Sequence, residues 1–207
     1  MGNYSGNTIK YPAIEPKTLS PDTQLIDDNN NEIAKLSDYW SWAHSDLLCN
    51  TERGIIAEYL VACALGIQKN DRISWDKYDL LSTNGIRIEV KASGYIQTWE
   101  QKELSKIVFG VHKSYGWNSV SGEYDGTQKR QSDIYVFCVH KHKEQNTLDP
   151  LNAKQWDFYV VLTKLLDKKI GNQKTISLSS VEKLGAIKCS YSQLKETIQH
   201  SMEYDNG

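Results

Sequence analysis

The chain has 207 residues, a formal net charge of −2, an ordinary 39% of hydrophobic residues and only 13 glycines and 4 prolines. That is enough chain for one domain with a real core, and it excludes fibrous and fully disordered classes and any histone-like basic binder, though a local positive groove is enough to hold nucleic acid. Cys49, Cys63, Cys138 and Cys189 form no CxxC pair and no run of 18 apolar residues occurs, so a reduced, cytoplasmic protein without a membrane partner is expected.

In chain order, residues 1–30 read as a poorly ordered arm or strap. Three of the four prolines fall before residue 25, and no period is visible. Residues 31–207 read as a single domain. A helix within Asn31–Leu48 would turn Ile33, Leu36, Trp40 and Leu47 to the core. A firmer helix covers Thr51–Leu65, where Ile55, Ile56, Tyr59, Leu60 and Ala62–Cys63 recur at helical spacing. Asn50 or Thr51 would cap it and Gly66 would end it.

Residues 75–81 and 86–92 read as two strands joined by Ser82-Thr83-Asn84-Gly85, and Asn-Gly is a strong hairpin signal. In the second strand Ile86, Ile88 and Val90 share one face, and Arg87, Glu89 and Lys91 share the other. An insertion at about 100–130 follows, with a short helix near Thr98–Ser105, a strand at Lys106–His112 and a polar loop over Gly116–Gly126. The apolar runs Ile134–Val139 and Phe158–Leu162 suit central strands covered on both sides. A strand at Thr175–Leu178 and a helix at Ser192–Met202 close the chain. The pattern predicts a mixed α/β sheet with helices on its faces.

The hairpin brings Asp79 to the same face as Glu89 and Lys91. Two carboxylates suit a hard cation such as magnesium, with the Val90 carbonyl as a further oxygen ligand. Such an ion lowers the pKa of a bound water and neutralises charge on a phosphodiester. The neighbouring lysine would orient the water and stabilise developing charge. The competing reading of a Glu-x-Lys triplet is the solvated face of an amphipathic strand.

The run Trp75-Asp76-Lys77-Tyr78-Asp79, followed by Gly85-Ile86-Arg87-Ile88-Glu89-Val90-Lys91-Ala92-Ser93, resembles the PD-(D/E)xK, or restriction-endonuclease-like, superfamily. The resemblance covers residues 51–99 and, more loosely, the two later strands. It implies a restriction-endonuclease-like mixed β-sheet flanked by helices, with Asp79, Glu89 and Lys91 at the catalytic positions. It also implies Glu58, four residues after Gly54, as a further metal ligand, direct or through water, and Gln97 as a further catalytic residue. Tyr78 stands where the motif's proline would be. The function so implied is Mg²⁺-dependent hydrolysis of DNA, with Mn²⁺ as substitute, by a small restriction-type endonuclease. Double-stranded DNA would be the substrate, and the enzyme a possible homodimer. A junction-resolving nuclease and a non-catalytic binding module on the same scaffold are the alternatives.

Other residues carry competing readings. Arg53 would contact phosphate or pair with an acid in solvent. Glu52 would favour the helix dipole, and Asp76 is a reserve carboxylate. Lys102, Lys106, Lys113, Lys129 and Arg130, interleaved with Tyr115 and Trp117, suit either nucleic acid or a solvated surface. Asp133 would cap a turn or pair with Arg130. His140 and His142 lack a third zinc ligand at useful spacing.

Overall fold

The computed structural model describes residues 14, 16–68, 77–118, 123–124 and 126–203. In chain order its elements are β1 (Gln24–Ile26), β2 (Glu32–Lys35), α1 (Leu36–His44), α2 (Asn50–Leu65), β3 (Leu80–Leu81) and β4 (Arg87–Gly94). There follow β5 (Val108–Gly110), β6 (Trp117–Asn118), β7 (Glu123–Tyr124), β8 (Ile134–His140) and β9 (Trp156–Leu162). The last five are α3 (Thr163–Ile170), β10 (Thr175–Ser177), α4 (Leu178–Lys183), β11 (Ile187–Cys189) and α5 (Leu194–Glu203).

A five-stranded sheet organises the body, in the order β11-β9-β8-β4-β3. Strands β4 and β8 run parallel and the other pairings are antiparallel. This is the mixed α/β sheet flanked by helices that the sequence pattern implies. Every residue of β8 is buried, as its continuous apolar run requires of a strand covered on both faces.

The two faces hold two cores. Ile88 and Val90 of β4, Val136 of β8 and Phe158 of β9 pack with Ala57 and Val61 of α2 and Leu194 and Ile198 of α5. On the other face Tyr135, Phe137, Tyr159 and Val161 pack with Phe109 of β5, Ile176 of β10, Leu166 of α3 and Val181 of α4. Cross-strand register aligns Glu89 with Tyr135 and Lys91 with Phe137. Strand alternation therefore turns Glu89 and Lys91 to the second face, away from the core beneath α2.

Helix α2 starts one residue earlier than its sequence suggests. Its N-cap is Cys49, whose sulfur accepts the Glu52 amide, and Gly66 ends it in the left-handed conformation at φ 76°. Helix α1 covers Leu36–His44, part of Asn31–Leu48 as expected, but buries nothing. Ile33 lies in β2 and is 66% exposed, and Trp40 is 39% exposed, so the core side expected there does not form. The β1–β2 hairpin is held by its turn: the Asp27 carboxylate accepts the Asn29 and Asn31 amides, each at 2.8 Å. The expected helix at Thr98–Ser105 is an irregular loop. Gln101 accepts the Gln97 amide at 2.7 Å and donates to the Tyr95 carbonyl and to Ser105, so its side chain supplies the bonds a helix would have made.

The turn before β4 fixes the register of the hairpin. The Ser82 amide donates to the Ile86 carbonyl, the Gly85 amide donates back to Ser82, and the Ser82 hydroxyl accepts the Ile86 amide. Gly85 sits at φ 80° with no atom within 4 Å of an added Cβ. Gly85→Ala therefore meets only a conformational cost, about 1 kcal/mol. Thermal melting is expected to fall by about 2–4 °C for a chain of this size; an unchanged melt would mean that the turn does not constrain β4.

Candidate active site

Strand β3 is short, with Leu80 opposite Ile88 and Leu81 opposite Arg87. The pairing extends one residue further back, because the Asp79 amide donates to the Ile88 carbonyl at 3.1 Å. The Asp79 carboxylate then accepts the Val90 amide at 2.7 Å. This bond pins the side chain over the middle of β4, beside Glu89. Lys91 donates to Glu89 at 2.5 Å, with both side chains largely covered.

These three residues line one cleft with Lys77, Gly110, His112, Ser114, Arg130, Gln131 and Tyr135. One wall is the β3–β4 hairpin. The other is built from the segment after β5 and from the approach to β8. The β4 and β8 ends are tied by Asp133: its carboxylate accepts the Arg87 amide at 2.9 Å and forms an ion pair with the Arg87 guanidinium. That hydrogen bonding holds the Asp133 carboxyl below its ordinary range, against partial burial.

The electrostatics follow from crowding two carboxylates into a half-closed space. Burial, with the Glu89 charge added to it, pushes the Asp79 carboxyl up to about 7; Lys91 and the Val90 amide oppose the shift and Glu58 adds to it. Burial works against the Lys91 ammonium, yet Glu89, Asp79, the hydrogen bond to Glu89 and Glu58 together raise its pKa, so it stays charged. The Tyr135 phenol is raised by burial and by Glu89 and stays protonated. A cleft that drives a carboxyl toward neutrality is one in which a bound cation can take the place of the proton.

A family model for bacteriophage T4 endonuclease IV matches residues 14–180, spanning both walls of this cleft. The chain belongs to the bacteriophage T4 endonuclease IV family. It is accordingly a nuclease, and its substrate is nucleic acid. No curated protein matches the chain.

Within this endonuclease family member, Asp79, Glu89 and Lys91 are brought together, with the Val90 main chain alongside. Glu58 is not part of the cleft lining. It stands on α2, which packs on the opposite sheet face, and adds a weaker electrostatic influence at Asp79 and Lys91. Among the described residues no group of three or more His, Cys, Asp or Glu side chains is placed to hold a metal ion. Gln97 also lies away from the cleft. Its side chain is buried, accepting from Arg53 at 2.8 Å and donating to the Gly94 carbonyl at 2.9 Å. Two side-chain hydrogen bonds hold it in the loop after β4. Asp76 lies outside the described residues.

Arg53 meets neither phosphate nor solvent. It is 1% exposed and donates to Leu48 and Ile96 carbonyls at 2.6 and 2.8 Å as well as to Gln97. His140 is buried and stacked on Trp156, and His142 bonds Thr147 at 2.7 Å; neither is placed as a zinc ligand. Arg130 is buried rather than part of a solvated patch, and its acid partner is Asp167, not Asp133. Sequence reasoning missed Tyr135 and His112 as cleft residues. Tyr135 stands in a continuous apolar run, where only the pairing with β4 reveals which face it occupies.

Proposed function

We propose that this nuclease is of the PD-(D/E)xK type and hydrolyses DNA with Mg²⁺, or Mn²⁺ in its place. Asp79 and Glu89 hold the ion, with the Val90 carbonyl as a further oxygen. The observation that carries this reading is the convergence of Asp79, Glu89 and Lys91 in one cleft, with Asp79 fastened to the Val90 amide. The donor set is oxygen-rich and carries surplus negative charge, which fits a hard cation. When bound, the ion supplies Lewis acidity and an activated water.

The chain's own residues supply the rest. In hydrolysis a water oxygen bonds to phosphorus, one ester P–O bond breaks, and the departing oxygen gains a proton. Lys91, charged and anchored by Glu89, orients the attacking water and offsets charge on the phosphoryl oxygens. Asp79 and Glu89 set the position of that chemistry at the middle of β4. The restriction-type reading further proposes double-stranded DNA as substrate, a homodimer that presents two clefts to two strands, and action in the cytoplasm.

The test is cleavage of plasmid, single-stranded, branched and RNA substrates with Mg²⁺, Mn²⁺ or a chelator. Metal-dependent cleavage of plasmid DNA is the expected result; equal cleavage in the chelator would overturn the reading. Lys91→Ala leaves both carboxylates in place, so cation binding is expected to persist or tighten. Turnover is expected to fall by about 10²-fold, as when one transition-state contact is lost. Cleavage at the parent rate would reduce Lys91 to a strand-surface residue.

A further inference from the structure

We propose that Arg130 is a phosphate-gripping residue of this cleft, donating from Nη2 to a non-bridging oxygen of the phosphate being cleaved. The inference rests on the nuclease reading above and adds a residue to it.

Arg130 immediately precedes the Gln131-Ser132-Asp133 approach to β8, and its side chain is 0% exposed. The guanidinium is fixed from two sides. Nε donates to the Val111 carbonyl at 2.9 Å, just after β5. Nη1 donates to the Asp167 carboxylate on α3 and to the Gly171 carbonyl at 3.1 Å. The third nitrogen, Nη2, is buried and has no hydrogen-bond partner. Buried charged donors left unused are rare because each carries a desolvation cost. Here Arg130 is one of the residues that line the cleft holding Asp79, Glu89 and Lys91, so the covered, unused donor lies at the border of the space a ligand enters.

The second buried arginine shows what a purely structural case looks like. Arg53 also has one unpartnered nitrogen, Nε, but that atom lies 3.1 Å from where a Cβ on Gly94 would stand. It faces packed backbone, and Arg53 lines no part of the cleft. Arg130 differs in lying against the space where the reaction occurs.

The chemistry fits a phosphoryl oxygen. Lys91 already bonds Glu89 and sits on the carboxylate wall. Arg130 stands on the facing side, near enough to Tyr135 to influence its phenol. A planar guanidinium already held at Nε and Nη1 presents its last donor in a fixed direction. Once the packing over Nη2 opens to a phosphate oxygen, the guanidinium itself does not have to turn, and a donor fixed in direction is effective toward the negative charge of a transition state. Arg130 donates hydrogen bonds only; no proton or covalent bond is transferred to it.

The experiment compares Arg130→Lys and Arg130→Met with Asp79→Asn, measuring melting temperature, oligonucleotide binding with Ca²⁺ and single-turnover cleavage with Mg²⁺. Arg130→Lys is expected to fold and to bind within about fivefold of the parent, while cleavage falls about 10²-fold. If Asp79→Asn is inactive and folded Arg130→Lys cleaves within about threefold of the parent, the Arg130 inference fails and the nuclease reading stands. If Asp79→Asn cleaves normally, the nuclease reading itself fails. A cleavage loss that tracks melting temperature and recovers on cooling would make Arg130 structural and overturn the inference.

Should neither Arg130 variant fold, the parent enzyme decides with each phosphorothioate diastereomer at the cleaved bond. One diastereomer is expected to be slowed in a way that exchanging Mg²⁺ for Mn²⁺ does not relieve, marking an oxygen held by a hydrogen-bond donor. Cleavage of both at the parent rate, or relief of both by Mn²⁺, would overturn the assignment.

Discussion

Alanine at Asp79 or at Glu89 is expected to reduce cleavage to background. Each substitution removes one of the two carboxylates that line the cleft, Asp79 and Glu89. The effect exceeds that of Lys91→Ala because positioning and charge neutralisation are lost together; mutations that remove part of a unit acting as one give losses well beyond 10²-fold. The folded state is expected to survive both changes. Burial and the Glu89 charge already disfavour the Asp79 carboxylate, so Asp79→Ala relieves repulsion even as it frees the Val90 amide. Circular dichroism and melting, run beside a cleavage assay, check this. Parent-like cleavage by either variant would remove that carboxylate from the chemistry.

Arg53 is expected to give the largest stability effect. Replacement by methionine keeps much of the apolar stem and deletes the fork. The Leu48 and Ile96 carbonyls and the Gln97 side chain then lose their donor. Unsatisfied buried acceptors cost about 1–3 kcal/mol each before relaxation, so a loss of about 3 kcal/mol or more is expected. At this chain length that is a fall of about 6–12 °C in melting temperature. Arg53→Lys is expected to rescue little, since an ammonium cannot reach three acceptors spread around a planar fork. A change below about 1 kcal/mol in denaturant titration would show that the loop after β4 is held by other contacts.

Arg53 also shows where reading the sequence stops. An arginine at the start of an amphipathic helix usually reaches solvent or an acid. Its burial here depends on a loop more than 40 residues away, at Ile96 and Gln97, and no period in the sequence encodes that approach. Gly94 is the one local trace: an added Cβ would sit 3.1 Å from the guanidinium, so the backbone must pass close to it.

The carboxylate wall was legible because it is local. Alternation along β4 puts Glu89 and Lys91 on one face, and Asn84-Gly85 folds Asp79 back onto it. The facing wall was not, because Tyr135, Arg130 and His112 come from separate elements brought together by a parallel strand pairing and a crossover. Pairings distant in sequence leave no signature of their own. The region around α1 failed for the opposite reason. Ile33 and Trp40 suggest a core side, but β1, β2 and α1 bury almost nothing, and hydrophobicity alone does not guarantee burial.

The most direct test of the carboxylate pair is a calorimetric titration of Mn²⁺ into the parent chain, Asp79→Ala, Glu89→Ala and Lys91→Ala. Binding is expected in the parent and in Lys91→Ala, with its loss or severe weakening in the two carboxylate variants. Binding of Mn²⁺ by Asp79→Ala and Glu89→Ala with the parent's affinity would contradict this expectation.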